Sequence, residues 1–143
     1  MAIVVKRIYE KAARSDGKRI LVDRLWPRGL TKQEASLDAW FRDLAPSDEL
    51  RHWFHAHPTA WQLFRNRYMK ELKDPKALEE VEALHELANR HARITLLYAS
   101  KNEARNNAVV LKEFLEGMRK PPTGTGPAAI KGMRLRQTAR KPR

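Results

Sequence analysis

The chain has 143 residues, 42% of them hydrophobic, and carries 29 Lys and Arg against 17 Asp and Glu, a net charge of +12. That is room for one domain with a real core, and it excludes a wholly disordered chain. There is no cysteine, which removes disulfides, thiolate nucleophiles, iron–sulfur clusters and Cys-ligated zinc in one step.

The first run, IVVKRIY over residues 3–9, is short and β-branched and reads as a strand. Ser15-Asp16-Gly17-Lys18 is a turn in which Gly17 is free to take positive φ. Arg19 to Leu25 holds an apolar run suited to a strand buried on both faces, and Trp26-Pro27-Arg28-Gly29 ends it. Thr31 and Glu34 have the spacing of a capping box, and Leu37, Trp40, Phe41 and Leu44 follow at helical period. Ser47 suits the cap of a second helix with Leu50, Trp53 and Phe54 on its apolar face. Pro58 opens a third along Trp61, Phe64, Tyr68 and Leu72, and Asp74-Pro75 a fourth along Leu78, Val81, Leu84 and Ala88. RITLLYAS, residues 93–100, returns to strand character. Asn102 is placed to cap a last helix bearing Ala108, Leu111, Leu115 and Met118.

The long helical crossover between the second and third strands suggests a parallel pairing. The expected fold is a small single α/β domain over 1–118, with a short, mainly parallel three-stranded sheet under about five helices. Trp40, Trp53 and Trp61 are expected in its core, while Trp26 lies in a loop and is placed to wall a pocket.

The rest of the chain, 119–143, holds Arg119, Lys120, Lys131, Arg134, Arg136, Arg140, Lys141 and Arg143, with no acidic residue, three of the six glycines and four of the eight prolines. It reads as a flexible basic tail, and residues 1–116 keep only +4 of the charge. Such a tail serves either as a solubilising extension or as a nonspecific contact for nucleic acid through counterion release.

In open α/β sheets, ligands sit beyond the carboxyl ends of the strands. Two such ends are polar here. The second strand runs into Asp23, Arg24, Trp26, Arg28 and Gly29. The third ends at Tyr98 and runs into Ser100, Lys101, Asn102, Arg105 and Asn106. Parallel neighbours would open both onto one rim, where arginine forks suit phosphate or carboxylate. Asp23 is the candidate base and Tyr98 a second catalytic candidate, with the other nine binding the ligand. The same residues have structural readings: Asp23 as the partner of a turn, Asn102 as a helix cap. His52 and His55 share a helical spacing, but spacing alone makes no metal site and none is assigned. No phosphate-loop or dinucleotide fingerprint is present, so no cofactor is specified. The residues MAIVVKRIYEKAAR lack a signal-peptide core and no apolar run reaches the roughly 20 residues of a membrane helix. A cytoplasmic location without a membrane partner is expected.

The segments DGKRILVDRLWPRGLTK, LDAWFRDLAPSDELRHWF, FRNRYMKEL and ITLLYASKNEARNNAVVLKEFL carry a resemblance across residues 3–116. They resemble domain-of-unknown-function family 488, the YeaO-like bacterial proteins. The resemblance implies a compact α/β domain, with no established reaction, and recurrent polar positions at Asp23, Arg24, Arg28, Gly29, Arg51, Arg65, Tyr68, Tyr98 and Asn106. It also implies departures. The family typically has His-Asp where Ala56-His57 stands, Asp at Asn102, and often His at Arg105 and Asn107. Those are proton-transfer and metal-ligand types that this chain lacks.

Three functions follow as expectations: a strand-end site for a small anion, with or without catalysis; a nucleic-acid-associated accessory protein working through its tail; and a regulatory protein-interaction domain.

Overall fold

The opening β-branched run forms β1 (Ala2–Arg7), which pairs in parallel with β4 (Arg93–Tyr98) from Ala2 opposite Arg93 to Arg7 opposite Tyr98. The computed structural model describes residues 2–118, and the tail expected over 119–143 lies outside them. On the other side of β4 lies β2 (Lys18–Leu21), also parallel, with Lys18 opposite Ile94 and Leu21 opposite Leu97. Beyond β2 is β3 (Ala39–Trp40), so the order is β1-β4-β2-β3 and every pairing is parallel.

The sheet therefore has four strands, not the three expected, and the helix expected through Leu44 is not formed. Its capping box is real. Thr31 Oγ1 accepts the Glu34 N–H, and Glu34 Oε1 accepts the Thr31 N–H. But α1 (Lys32–Ala35) lasts one turn and ends at Ser36, which takes a left-handed φ of 48°. The chain then lies along β2. The Asp38 N–H donates to Arg19 O at 2.8 Å and the Phe41 N–H to Leu21 O at 2.9 Å. An open sheet edge with matching donors prevails over a helical hydrophobic period here.

Ser47 caps α2 (Asp48–Ala56), its Oγ accepting the Leu50 N–H. α3 (Trp61–Leu72) starts three residues beyond Pro58, which sits in the preceding turn. Asp74 caps a 3-10 turn over Pro75–Ala77 that leads into α4 (Leu78–Arg90). The last helix, α5 (Asn107–Gly117), is capped by Asn106 and not by Asn102. Asn106 Oδ1 accepts the Val109 N–H at 3.0 Å. Asn102 instead accepts the Ala104 and Arg105 N–H groups and builds the turn before the helix.

Alternation along the strands separates two cores. Ile3, Ile20, Val22, Ile94, Leu96 and Tyr98 join residues of α2–α5, including Leu50, Phe64, Tyr68, Leu84 and Leu111, in the larger one. Buried Tyr68 donates its hydroxyl to Leu44 O at 2.5 Å. On the opposite face Ile8, Leu21, Ala35 and Leu97 form a small core under the loops, with Trp26 and Trp40 edge-on at 5.5 Å. The tryptophans expected in the core line its edges: Trp40, Trp53 and Trp61 are all half-buried.

The turn into β2 fixes a buried charge cluster. Gly17 takes φ +66°, and a Cβ there would stand 2.2 Å from Arg93 O, so only glycine lets the turn approach β4. Just before it, buried Asp16 accepts from Lys6 Nζ at 2.9 Å, Arg19 Nη1 at 2.6 Å and the Ala13 N–H at 3.0 Å. Arg19, also buried, donates onward to Ala35 O and Ser36 O, capping the carbonyl end of α1.

Candidate functional site

Because β2 and β4 are parallel neighbours, their carboxyl ends open on the same side, and a cleft of about 400 Å³ lies there. The segment after β2 gives it Asp23, Arg24, Leu25, Trp26, Pro27 and Arg28. The segment after β4 gives Ala99, Ser100, Arg105, Asn106 and Asn107. α2 closes the opposite side with Arg51, Phe54 and His55, which fall at i, i+3 and i+4 on one helical face.

Asp23 ties the floor together. Its Oδ2 accepts the Ala99 N–H at 2.9 Å, and its Oδ1 accepts the Asn107 side-chain amide at 3.0 Å. Asn107 also donates to Val22 O, and Trp40 Nε1 donates to Asp23 O at 2.7 Å. One carboxylate thus joins the ends of two strands to the first residue of α5. Burial pushes the Asp23 carboxyl above its ordinary range, against the pull of the Asn107 and Ala99 bonds. No arginine bonds to it among the described residues.

The guanidinium groups are spent elsewhere or left open. Arg24 reaches Pro46 O and Ala45 O at 3.4 Å each and stands 3.8 Å from Asp48 Oδ1. Arg51 donates to the same Asp48 oxygen at 3.2 Å, while its buried Nε–H has no acceptor among the described residues. Among the described residues nothing accepts from the Arg28 or Arg105 side chain; Arg28 is held only by its carbonyl, which accepts the Tyr9 hydroxyl at 2.7 Å.

Of the residues expected at the rim, Asp23, Arg24, Trp26, Arg28, Ser100, Arg105 and Asn106 do line the cleft. Gly29, Lys101, Asn102 and Tyr98 do not. Gly29 turns the loop at φ +83°, Lys101 is exposed, and Asn102 builds its turn. Tyr98 faces the larger core at 2% exposure. Burial, then Glu103 and Glu10, push its phenol up, which keeps it protonated at neutral pH. The tail residues lie outside the described part. Sequence spacing alone does not single out Tyr9, Arg51, Phe54, His55 or Asn107; the family resemblance points to Arg51, and the i, i+3, i+4 pattern in α2 was the available signal for its wall. Among the described residues, no three His, Asp or Glu side chains converge as a metal site, and no helix is long and apolar enough to cross a membrane.

A family model described as the inactive DUF488-N3 subclade matches residues 2–126. The uncharacterized protein YeaO of Escherichia coli is 42% identical over 118 residues, covering 82% of this chain and all of that protein. Uncharacterized proteins of Mycobacterium bovis and Mycobacterium tuberculosis are each 42% identical over 113 residues, 79% of this chain and 92% of theirs. No solved structure matches the chain. The chain belongs, on these matches, to the YeaO-like proteins of domain-of-unknown-function family 488, and to its inactive DUF488-N3 subclade.

Proposed function

We propose that the strand-end cleft binds a small anion through a phosphate or carboxylate, without turning it over. The observation that carries this reading is a cleft lined by Arg24, Arg28, Arg51 and Arg105, in which, among the described residues, nothing accepts from the Arg28 or Arg105 side chain. Guanidinium forks match the planar or tetrahedral oxygens of such groups.

Two points favour binding over catalysis. Asp23, the candidate base, uses both oxygens to hold Ala99 and Asn107. The residue at its side is Asn107, where the family resemblance implies a histidine, and an amide cannot exchange a proton at neutral pH. The description of the subclade as inactive points the same way.

The test is titration calorimetry of the full chain with inorganic phosphate at low ionic strength. Saturable binding is expected, weakened about tenfold or more in Arg51→Ala, the loss of one charged hydrogen bond. Absence of binding of any phosphate or carboxylate compound to the unaltered protein would sink the reading.

A second reading rests on the eight basic residues of 119–143. Nonspecific nucleic-acid contact through them predicts DNA affinity that falls steeply with salt. Replacing Arg134, Arg136, Arg140 and Lys141 by Gln would remove it while leaving phosphate binding intact. Salt-insensitive DNA binding would count against it.

A further inference from the structure

The cleft is larger and more apolar than an inorganic anion needs. About 400 Å³ falls in the range, about 300–1,000 Å³, of sites that enclose a whole small molecule. Besides the arginines, Leu25, Trp26, Pro27 and Phe54 line it. Phe54 is stacked on Phe64 with ring centroids 4.3 Å apart, and both residues line the cleft. The large apolar side chains left exposed tell the same story. Among the described residues they are Tyr9, Leu25, Leu63 and Leu78, and two of the four, Tyr9 at 39% and Leu25 at 57%, stand on this cleft. A single exposed leucine means little, but apolar groups gathered in one cleft with the unpaired guanidinium groups of Arg28 and Arg105 define an amphipathic site.

We infer that the ligand is an aryl anion, an aromatic ring carrying a phosphate or carboxylate, with the acid group on Arg28, Arg51 and Arg105 and the ring against Leu25 and Phe54. This rests on the anion-binding reading above and adds the body of the ligand to its head. The ring gives the affinity that exposed arginine contacts alone cannot, since water competes for the latter. The two surfaces together also select against the free inorganic ion, which fills only one of them.

The experiment compares four probes by titration calorimetry on the full chain: phenyl phosphate, benzoate, inorganic phosphate and acetate. Each aryl compound is expected to bind about tenfold or more tightly than its inorganic or aliphatic counterpart, the order expected from partial burial of a ring. The phenyl phosphate and benzoate arms show which acid group the arginines prefer. Leu25→Ser, at an exposed position, is expected to erase the aryl advantage and leave inorganic phosphate binding unchanged. Equal affinity for phenyl phosphate and inorganic phosphate would overturn the inference while leaving the anion site standing. So would a Leu25→Ser variant that weakens both alike. Failure of all four probes to bind would remove the anion site itself.

Discussion

Asp16 and Asp23 stand just before and just after the same strand, in different electrostatic company. Asp16 has Lys6 and Arg19 directly on its oxygens. Asp23 has four arginines around its cleft and accepts only from an amide and a backbone N–H. Around Asp16 the cations are used up: Arg19 is 4% exposed, and it donates to the carboxylate and to two carbonyls. Around Asp23, Arg24 and Arg51 are only partly engaged, and among the described residues nothing accepts from the Arg28 or Arg105 side chain. A closed cluster of charge holds a turn against a sheet, whereas an open one offers its donors to a ligand.

The largest test of that contrast is Arg19→Met. It leaves buried Asp16 with Lys6 as its one cation and strips the carbonyls of Ala35 and Ser36, at the end of α1, of their donor. Breaking one side of a buried pair costs about 3–5 kcal/mol, read as a drop in the urea midpoint. Phosphate affinity of the folded fraction should not change. A loss below about 1 kcal/mol would mean that the cluster is not what fixes the turn.

Acid titration sharpens the contrast, because the two aspartates pull in opposite directions. For Asp16, burial raises the pKa, but the Ala13 N–H, Lys6 and Arg19 together bring it below the ordinary value. Its contribution to stability is therefore complete above the unfolded-state pKa and is lost as pH falls through the lowered folded value. For Asp23 the shift is upward, led by burial. Its contribution is complete below the unfolded-state pKa and is lost as pH rises through the raised folded value. Urea midpoints measured from neutral pH downward should fall less in Asp16→Asn than in the unaltered protein, and more steeply in Asp23→Asn. Identical profiles for the two variants would erase the distinction.

The smallest effect concerns Asp48, whose side chain is 64% exposed and which stands within ion-pair distance of both Arg24 and Arg51. It competes with any anion for those two groups. Exposed pairs are worth about 1 kcal/mol at most, so Asp48→Asn should raise phosphate affinity by no more than about fivefold. A decrease would show that Asp48 orients Arg51 instead of competing for it.

Strand identity and the parallel pairing of β2 with β4 were legible in the sequence, because apolar runs bounded by turn residues depend on local chemistry. β3 was not, because Leu37, Trp40, Phe41 and Leu44 keep a helical period that only the edge of β2 overrides. The same division runs through the site. Its near wall, Asp23 to Arg28 with Ser100, Arg105 and Asn106, follows from two strand ends. Its far wall, Arg51, Phe54 and His55, requires knowing where α2 docks, and α2 is placed by long-range packing of Leu50 and Phe54. Tyr98 was misplaced by one step of strand alternation: the residue at the end of β4 points into the core, and the cleft begins at Ala99.

The strand order has a consequence for how the molecule is made. Among the described residues β4 is the only neighbour of β1 and the principal neighbour of β2, yet residues 93–98 are translated after both by more than 70 positions. Until they emerge from the ribosome, β1 has no ladder to join and β2 has only the two-residue edge of β3, so most of their apolar surface must wait in the nascent chain. Sheet formation is thereby deferred and nearly all-or-none. The strand that completes it also delivers Ala99 and Asn107 to Asp23, so the cleft comes into being at the same moment as the fold.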